Sequence, residues 1–229
     1  MVFLAIAAIG YKGIQPAAAT VQTNAVQESQ PLGKGKLYAL LIVCAGYMLC
    51  WVGYVQWQST ISAYTRELGI GISQYSLLWT VNGAMIVLLQ PLINKIVKPF
   101  EKNLKIQIIS GMAILAGSFL AASWATEFSG FLTAMMILTI GEMLVWPAVP
   151  AIADSLAPKG KEGFYQGIVN SAATGGRMIG PLAGGMLVDF YGMTAMFAVI
   201  IVLIAIGMVT TSIYDKKLSP EQEAEPTIG

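Results

Sequence analysis

Long apolar segments separated by short polar connections run through most of the chain. A helix needs about 20 apolar residues to cross a bilayer, and the pattern predicts six such helices, at residues 37–57, 75–94, 106–125, 128–152, 163–187 and 191–213. Glu142 and Arg177 are the charged residues inside these segments. We therefore predict an all-α integral membrane protein with a bundle of six transmembrane helices over residues 37–213.

The composition agrees with a bilayer as the surrounding medium. Hydrophobic residues make up 56% of the 229 positions and charged residues 11%, whereas a soluble domain carries about 25% charge. The net charge of +1 leaves no basic surface for nucleic acid. The five Trp and nine Tyr residues suit the aromatic belts at the two bilayer surfaces.

Histidine is absent from the sequence, and this excludes several kinds of chemistry. Histidine-ligated haem, histidine-based metal sites and histidine general bases are all ruled out. Cys44 and Cys50 lie six positions apart in the first apolar segment, without a CxxC motif, and are best explained as small buried side chains. We predict no catalytic residues, no metal, no cofactor and no enzymatic activity.

The basic residues predict the orientation of the bundle. All of them except Arg66 and Arg177 fall in segments on one side of the six helices, and they are all lysines. Because lysine and arginine are enriched in cytoplasmic loops, this side is expected to face the cytoplasm. The sequence therefore predicts a multi-pass protein of the cell membrane with both termini in the cytoplasm.

The two ends of the chain lack a complete span. Residues 1–11 are apolar, but as a helix they would rise only about 15 Å, half of a bilayer core. A signal peptide would lack its basic region, and its removal would reverse the first helix against the lysine pattern. We expect residues 1–11 to end a preceding transmembrane helix, residues 12–36 to form a cytoplasmic linker and residues 214–229 a cytoplasmic tail.

Glu142 and Arg177 are the main functional candidates. Charged groups inside a membrane are rare, usually face the protein interior or a cavity, and mark function by default. Each lies 14 residues into its predicted span, so both come near the midplane and a direct ion pair between them is expected. We predict that Glu142 and Arg177 form a site that binds and releases protons, with a purely structural pair as the alternative.

Other polar and flexible positions complete the candidate set. Polar side chains that could line an internal cavity, or only join neighbouring helices, are Gln56, Gln58, Asn82, Gln90 and Asn170. Residues that could bend a gating helix, or only allow close packing, are Pro147, Pro150, Gly180, Pro181, Gly184 and Gly185.

Four stretches resemble helices seven to twelve of the major facilitator superfamily, within it the drug:proton antiporters. They are YVQWQSTISAY, SLLWTVNGAMIVLLQPLI, GEMLVWPAVPAIADSLAP and GFYQGIVNSAATGGRMIGPLAGGMLVDFYG. Gly180, Pro181, Gly184 and Gly185 resemble the family's Gly-Pro-x-x-Gly-Gly motif. Two departures exist: NKIVKPFEKN lacks the family's Gly-x-x-x-Asp-Arg-x-Gly pattern, and Glu162 stands where a basic residue usually precedes the glycine.

The resemblance implies one half of a twelve-helix transporter that works by alternating access. It implies proton-coupled efflux of small amphipathic compounds, as in multidrug efflux, with protons, a small-molecule substrate and the lipid bilayer as partners. The other six helices would come from a missing N-terminal half or from a second copy of the chain. The alternatives are transport of a specific solute such as a sugar or metabolite, an inactive truncated transporter, and a structural membrane subunit.

Overall fold

The computed structural model describes residues 33–97 and 103–217, and the regular elements within these ranges are helices. Their bounds are Lys34–Tyr54 (α1), Thr60–Glu67 (α2), Ile72–Val97 (α3), Leu104–Ser123 (α4), Phe128–Leu156 (α5) and Glu162–Ile213 (α6). Short 3-10 turns follow α1 at Val55–Trp57 and α6 at Tyr214–Lys217.

Helix α6 is two membrane-crossing helices joined at one residue. Gly192 has φ 82° and ψ 170°, a conformation that glycine adopts without steric cost because it has no Cβ atom. The arms are α6a (residues 162–191) and α6b (residues 193–213). Among the described residues, five helices are long and apolar enough to span a membrane, and since the last contains both arms, the predicted six-helix bundle is confirmed.

Several element boundaries differ from the prediction by two to four residues, and helix α3 extends three residues beyond its predicted span at each end. Helix α1 begins at Lys34, so the last residues of the expected linker are helical. Helix α5 continues to Leu156, four residues beyond the predicted end. Helix α2 was not predicted, because its eight residues are too few and too polar to form a span. The expected preceding helix at residues 1–11, most of the linker and most of the tail lie outside the described residues.

Helix α1 lies between the two arms of α6. Gly176, Gly180 and Gly184 face α1 and the 3-10 turn that follows it, and a Cβ atom at any of them would collide with residues there. These contacts advance in the same direction along both helices, so α1 and α6a are parallel. On the other side Gly46 meets Gly207 of α6b, in an antiparallel pair. Small residues thus bring three helices into close contact, as is common in membrane bundles.

A second close contact joins α4 and α5. Gly111 and Gly141 face each other, and a Cβ atom on Gly111 would lie 3.0 Å from the Gly141 carbonyl oxygen. Gln107 Nε2 donates to the Leu144 carbonyl oxygen at 2.9 Å across the same pair of helices. Helix α3 packs chiefly against α5, which brings its polar residues next to those of α5.

The chain order places the described lysines at one end of the bundle. This end holds the first turns of α1, α4 and α6a and the last turn of α6b. Here Lys105 Nζ pairs with both carboxylate oxygens of Asp215 at 2.7 Å, and its ammonium group lies 5.8 Å from the centre of the Tyr214 ring. Arg66 in α2 lies at the opposite end of the bundle, together with Gly192. The order of the helices thus places the described lysines at one end and Arg66 at the other.

Candidate functional site

Glu142 lies at the middle of α5, in the centre of the bundle. Its side chain is only 2% exposed, because α3 covers it from one side and α1 from another. Ionised carboxylates are costly at such a position unless hydrogen-bond donors surround them. The neighbours of Glu142 therefore decide what this residue can do.

Three helices supply donors to the Glu142 carboxylate. Asn82 of α3 donates to Oε1 of Glu142 and also donates to the Thr139 hydroxyl at 3.0 Å. Trp146, one turn further along α5, donates its indole N–H to Oε2 at 3.3 Å. The Tyr54 side chain of α1 is also hydrogen-bonded to this carboxylate. Because α1, α3 and α5 all bind one group, a change in its protonation alters contacts among three helices.

An aromatic cluster extends from Glu142 toward the surface of the bundle. The rings of Trp51 and Trp146 stack with their centres 4.5 Å apart and an angle of 6° between their planes. Tyr47 and Tyr54 meet the Trp146 ring edge-on at 5.5 and 5.3 Å. Trp79 of α3 lies next to Tyr54 at 6.3 Å. We call these five residues the aromatic cluster.

Arg177 lies on the far side of this cluster from Glu142. Its guanidinium carbon is 3.9 Å from the centre of the Trp51 ring, at the distance of a cation–π contact. Within the described residues, the recorded ion pair is Lys105–Asp215, and Glu142 and Arg177 do not form one. The expected direct ion pair is therefore wrong. The prediction rested on the equal depth of Glu142 and Arg177 in the membrane. In the structure the rings of Trp51 and Trp146 lie between the two charged groups.

The remaining cavity candidates have different surroundings. Gln56 is fully buried and donates to the carbonyl oxygens of Val52 and Gly180, both at 2.8 Å. It therefore joins α1 to α6a. Gln58 is exposed beyond the end of α1, and Asn170 is exposed on α6a. Gln90 is half-buried on α3, two turns beyond Asn82.

The candidate gating residues lie inside helices. Pro147 and Pro150 interrupt the hydrogen bonding of α5 without ending it, and Pro181 does so in α6a. Gly180 and Gly184 contact α1, whereas a Cβ atom on Gly185 would meet no atom within 4 Å. The non-helical backbone of α6 is confined to Gly192, so the glycine-rich stretch is straight enough to pack along α1.

The aromatic cluster was not predicted, since tryptophan and tyrosine were expected at the bilayer surfaces. A signal was present in the sequence. Tyr47, Trp51 and Tyr54 are spaced by four and three residues, which places them on one face of a helix. Trp146 follows Glu142 by four residues and is one turn away from it. These spacings join the aromatic residues to the intramembrane carboxylate.

The arrangement of six spans, parallel contact between the first and fifth, and a buried acid in the fourth can be compared with known proteins. The Major Facilitator Superfamily profile matches residues 1–177 and 42–228. This chain belongs to the Major Facilitator Superfamily. The superfamily's polytopic architecture agrees with the multi-pass membrane bundle described above.

Individual relatives support the assignment to the superfamily. The uncharacterized MFS-type transporter YttB of Bacillus subtilis is 52% identical over 97% of this chain and 56% of its own length. The multidrug resistance protein MdtG of Proteus mirabilis is 26% identical over 75% of this chain and 43% of its own length. The chain thus spans about half the length of the curated relatives it matches.

A solved transporter structure supports the fold. It is the crystal structure of a POT family transporter in complex with 5-aminolevulinic acid, which has a TM-score of 0.69 and 18% sequence identity. The match covers 81% of this chain and 42% of the transporter. At this level of identity the likeness concerns the arrangement of the helices.

Proposed function

We propose that this chain supplies six helices of a secondary transporter that exports small amphipathic molecules across the cell membrane in exchange for protons. The observation that carries the proposal is the buried Glu142 carboxylate, held by donors from three helices. Such a group can bind and release a proton while it changes the contacts between helices. A substrate site formed jointly with a second set of helices would lie next to it.

The proposed cycle is alternating access. Two helical halves rock about a site at the middle of the membrane, open to one side at a time. When Glu142 is ionised it accepts hydrogen bonds from Asn82, Trp146 and Tyr54, and these bonds hold α1, α3 and α5 together. When it is protonated the carboxyl group gains a donor of its own and attracts those donors less strongly. Proton binding would therefore loosen one arrangement of helices and favour the other.

Two further observations support the direction and the class of compound. MdtG is named as a multidrug resistance protein, and the resemblance to drug:proton antiporters implies amphipathic compounds. The aromatic cluster places the half-buried rings of Trp51, Trp79 and Trp146 next to polar groups, which suits molecules with both characters. The lysine-rich end of the bundle, with both chain termini, would face the cytoplasm.

The test is transport by reconstituted protein. Liposomes would contain either this chain alone or this chain together with the part of YttB outside the matched region. The compounds are cationic, neutral and anionic amphipathic dyes, with sugars included to detect transport of a specific solute. We expect saturable dye movement that requires a proton gradient and stops when a protonophore removes it.

The chain alone is the matched control and is expected to move nothing, because its polar face would lack the opposing helices. Gradient-driven movement by the chain alone would contradict the need for a second set of helices. Movement of sugars in place of dyes would contradict the amphipathic substrate class. The absence of any gradient-driven movement in both samples would overturn the proposed function.

A further inference from the structure

Helix α6a has one exposed face that is polar although it lies in the middle of a membrane span. Asn170, Thr174 and Arg177 are all exposed, and their spacing of four and three residues places them on the same side of the helix. The adjoining exposed face is apolar, with Met178, Leu182 and Met186 at 74%, 65% and 53% exposure. The polar face is therefore separate from the surface of α6a that suits lipid.

Arg177 is held in a fixed direction on this polar face. Its guanidinium carbon lies over the Trp51 ring, 3.9 Å from the ring centre, and Trp51 is itself stacked on Trp146 at 4.5 Å. Contact with a ring occupies the flat side of the guanidinium group and leaves the N–H donors at its edge available. A guanidinium group in contact with a ring in this way still has its fork of N–H donors available for a planar anion.

The charge of Arg177 is not neutralised by the described part of the chain. No carboxylate of the described residues lies at ion-pair distance from it, and the carboxylate of Glu142 is engaged by Asn82 and Trp146. An arginine inside a membrane remains charged and requires an anionic or strongly polar partner. The partner must therefore come from outside these helices.

We propose that Arg177, together with Asn170 and Thr174, binds the carboxylate group of the transported molecule, while the aromatic cluster contacts its apolar body. The proposal rests on the proposed transport function, since it assigns the chemical class of the substrate. A single guanidinium group neutralises one negative charge, and a carboxylate carries one. A phosphate monoester carries nearly two and would leave one unpaired in the membrane.

The proposal can be tested by equilibrium binding without a proton gradient. The full 229-residue chain in lipid nanodiscs is titrated with naphthoate, with its neutral amide naphthamide and with naphthyl phosphate. Binding is followed by quenching of tryptophan fluorescence and by equilibrium dialysis against empty nanodiscs, which corrects for partition into lipid. Naphthoate is expected to bind saturably and about tenfold more tightly than naphthamide, because hydrogen bonds to charged groups are the strong ones.

Variants locate the binding to Arg177. Arg177→Gln is expected to weaken naphthoate binding about tenfold and to leave naphthamide binding unchanged. Arg177→Lys keeps the charge but loses the fork, so its effect should be intermediate. Arg66→Gln is the matched control, because Arg66 is an exposed arginine on α2 at the end of the bundle. The comparison of naphthoate with naphthamide uses the unaltered chain, so a folding defect in a variant does not affect it.

Several results would overturn the inference. They are equal binding of naphthoate and naphthamide, no binding of naphthoate, and unchanged naphthoate binding in Arg177→Gln. Tighter binding of naphthyl phosphate than of naphthoate would show that the site prefers a phosphate group to a carboxylate. Loss of naphthoate binding when the remaining part of YttB is present would indicate a permanent ion pair with the second set of helices. These binding measurements use no proton gradient. A failure of the proposed transport function would be seen in the liposome assay and is therefore distinguishable from a failure of carboxylate binding.

Discussion

The side chains of Glu142 and Arg177 are joined by an aromatic bridge in place of an ion pair. Trp146 donates its indole N–H to the Glu142 carboxylate at 3.3 Å, its ring stacks on Trp51, and Arg177 lies on the other side of Trp51. The acid is buried and the base is exposed. In the transport cycle proposed above, the proton and the substrate would therefore occupy two different positions that share the same two rings.

Replacement of Glu142 by glutamine tests the proton-binding role. The Glu142→Gln side chain keeps the shape of the carboxyl group but cannot change its protonation. In liposomes that contain this chain and the remaining part of YttB, gradient-driven flux is expected to fall to the level of protein-free liposomes, while dye binding persists. Glu127→Gln, which alters an exposed acid at the start of α5, should have no effect. A Glu142→Gln protein with normal proton-coupled flux would defeat this role.

Two substitutions at Trp146 separate its hydrogen bond from its stacking. Trp146→Phe removes the N–H donor and keeps an aromatic ring, so we expect a loss of about 0.6–2 kcal/mol in the free energy of unfolding. Trp146→Leu also removes the contacts with Trp51, Tyr47 and Tyr54, which adds about 0.5–1.5 kcal/mol for each aromatic pair. Denaturation in detergent micelles measures both. Equal losses in the two variants would show that the stacking contributes nothing.

Alanine substitutions at two neighbouring glycines test whether the glycine-rich stretch of α6a serves for packing. A Cβ atom on Gly180 would collide with Val55 and Val52, so Gly180→Ala should destabilise the bundle by about 1–3 kcal/mol. Gly185 has open space around it, so Gly185→Ala should be neutral or stabilise the helix by up to about 1 kcal/mol. Thermal unfolding distinguishes them. Similar effects at both positions would instead indicate that flexibility of the backbone matters most.

Cysteine labelling on intact cells tests the orientation. We expect a cysteine at position 66 to react with an impermeant maleimide, and one at position 159 to react only after the cells are opened, because the lysine-rich end should face the cytoplasm. The native Cys44 and Cys50 are buried in α1 and should give little background. The opposite pattern, with position 159 labelled from outside, would reverse the topology.

The sequence predicted the six spans because membrane helices are defined by a long run of apolar residues, which is a local property. Their ends were less certain. Lys34 and Lys36 are polar and yet helical, since a helix can extend into the interface beyond its apolar run. The importance of Glu142 was also predictable, because charge inside a span is costly. Whether Glu142 and Arg177 touch was not, since it depends on which side chains fill the space between two helices.

The role of Gln56 shows the same limit. Its polarity and its position near the end of a span suggested a place in a cavity. The structure buries it against α6a, where the carbonyl oxygen of Gly180 accepts its hydrogen bond. This contact exists because Gly184 has no side chain to occupy the space that the Gln56 amide fills. The role of Gln56 thus depends on the missing side chain of Gly184. The sequence pattern of a single helix does not show this dependence.

The glycine face of α6a has a mechanical consequence. Most packed helices are separated by side chains, and these can change rotamer to absorb a small displacement of one helix against another. Between α1 and α6a fewer side chains are available to absorb such a displacement, because α6a has glycine at positions 176, 180 and 184. A shift of α6a is therefore passed on to α1 with less loss, and it displaces Trp51 relative to Trp146. Flat rings can slide over each other without losing contact. The stacked tryptophan pair therefore allows α1 and α6a to move together relative to α5.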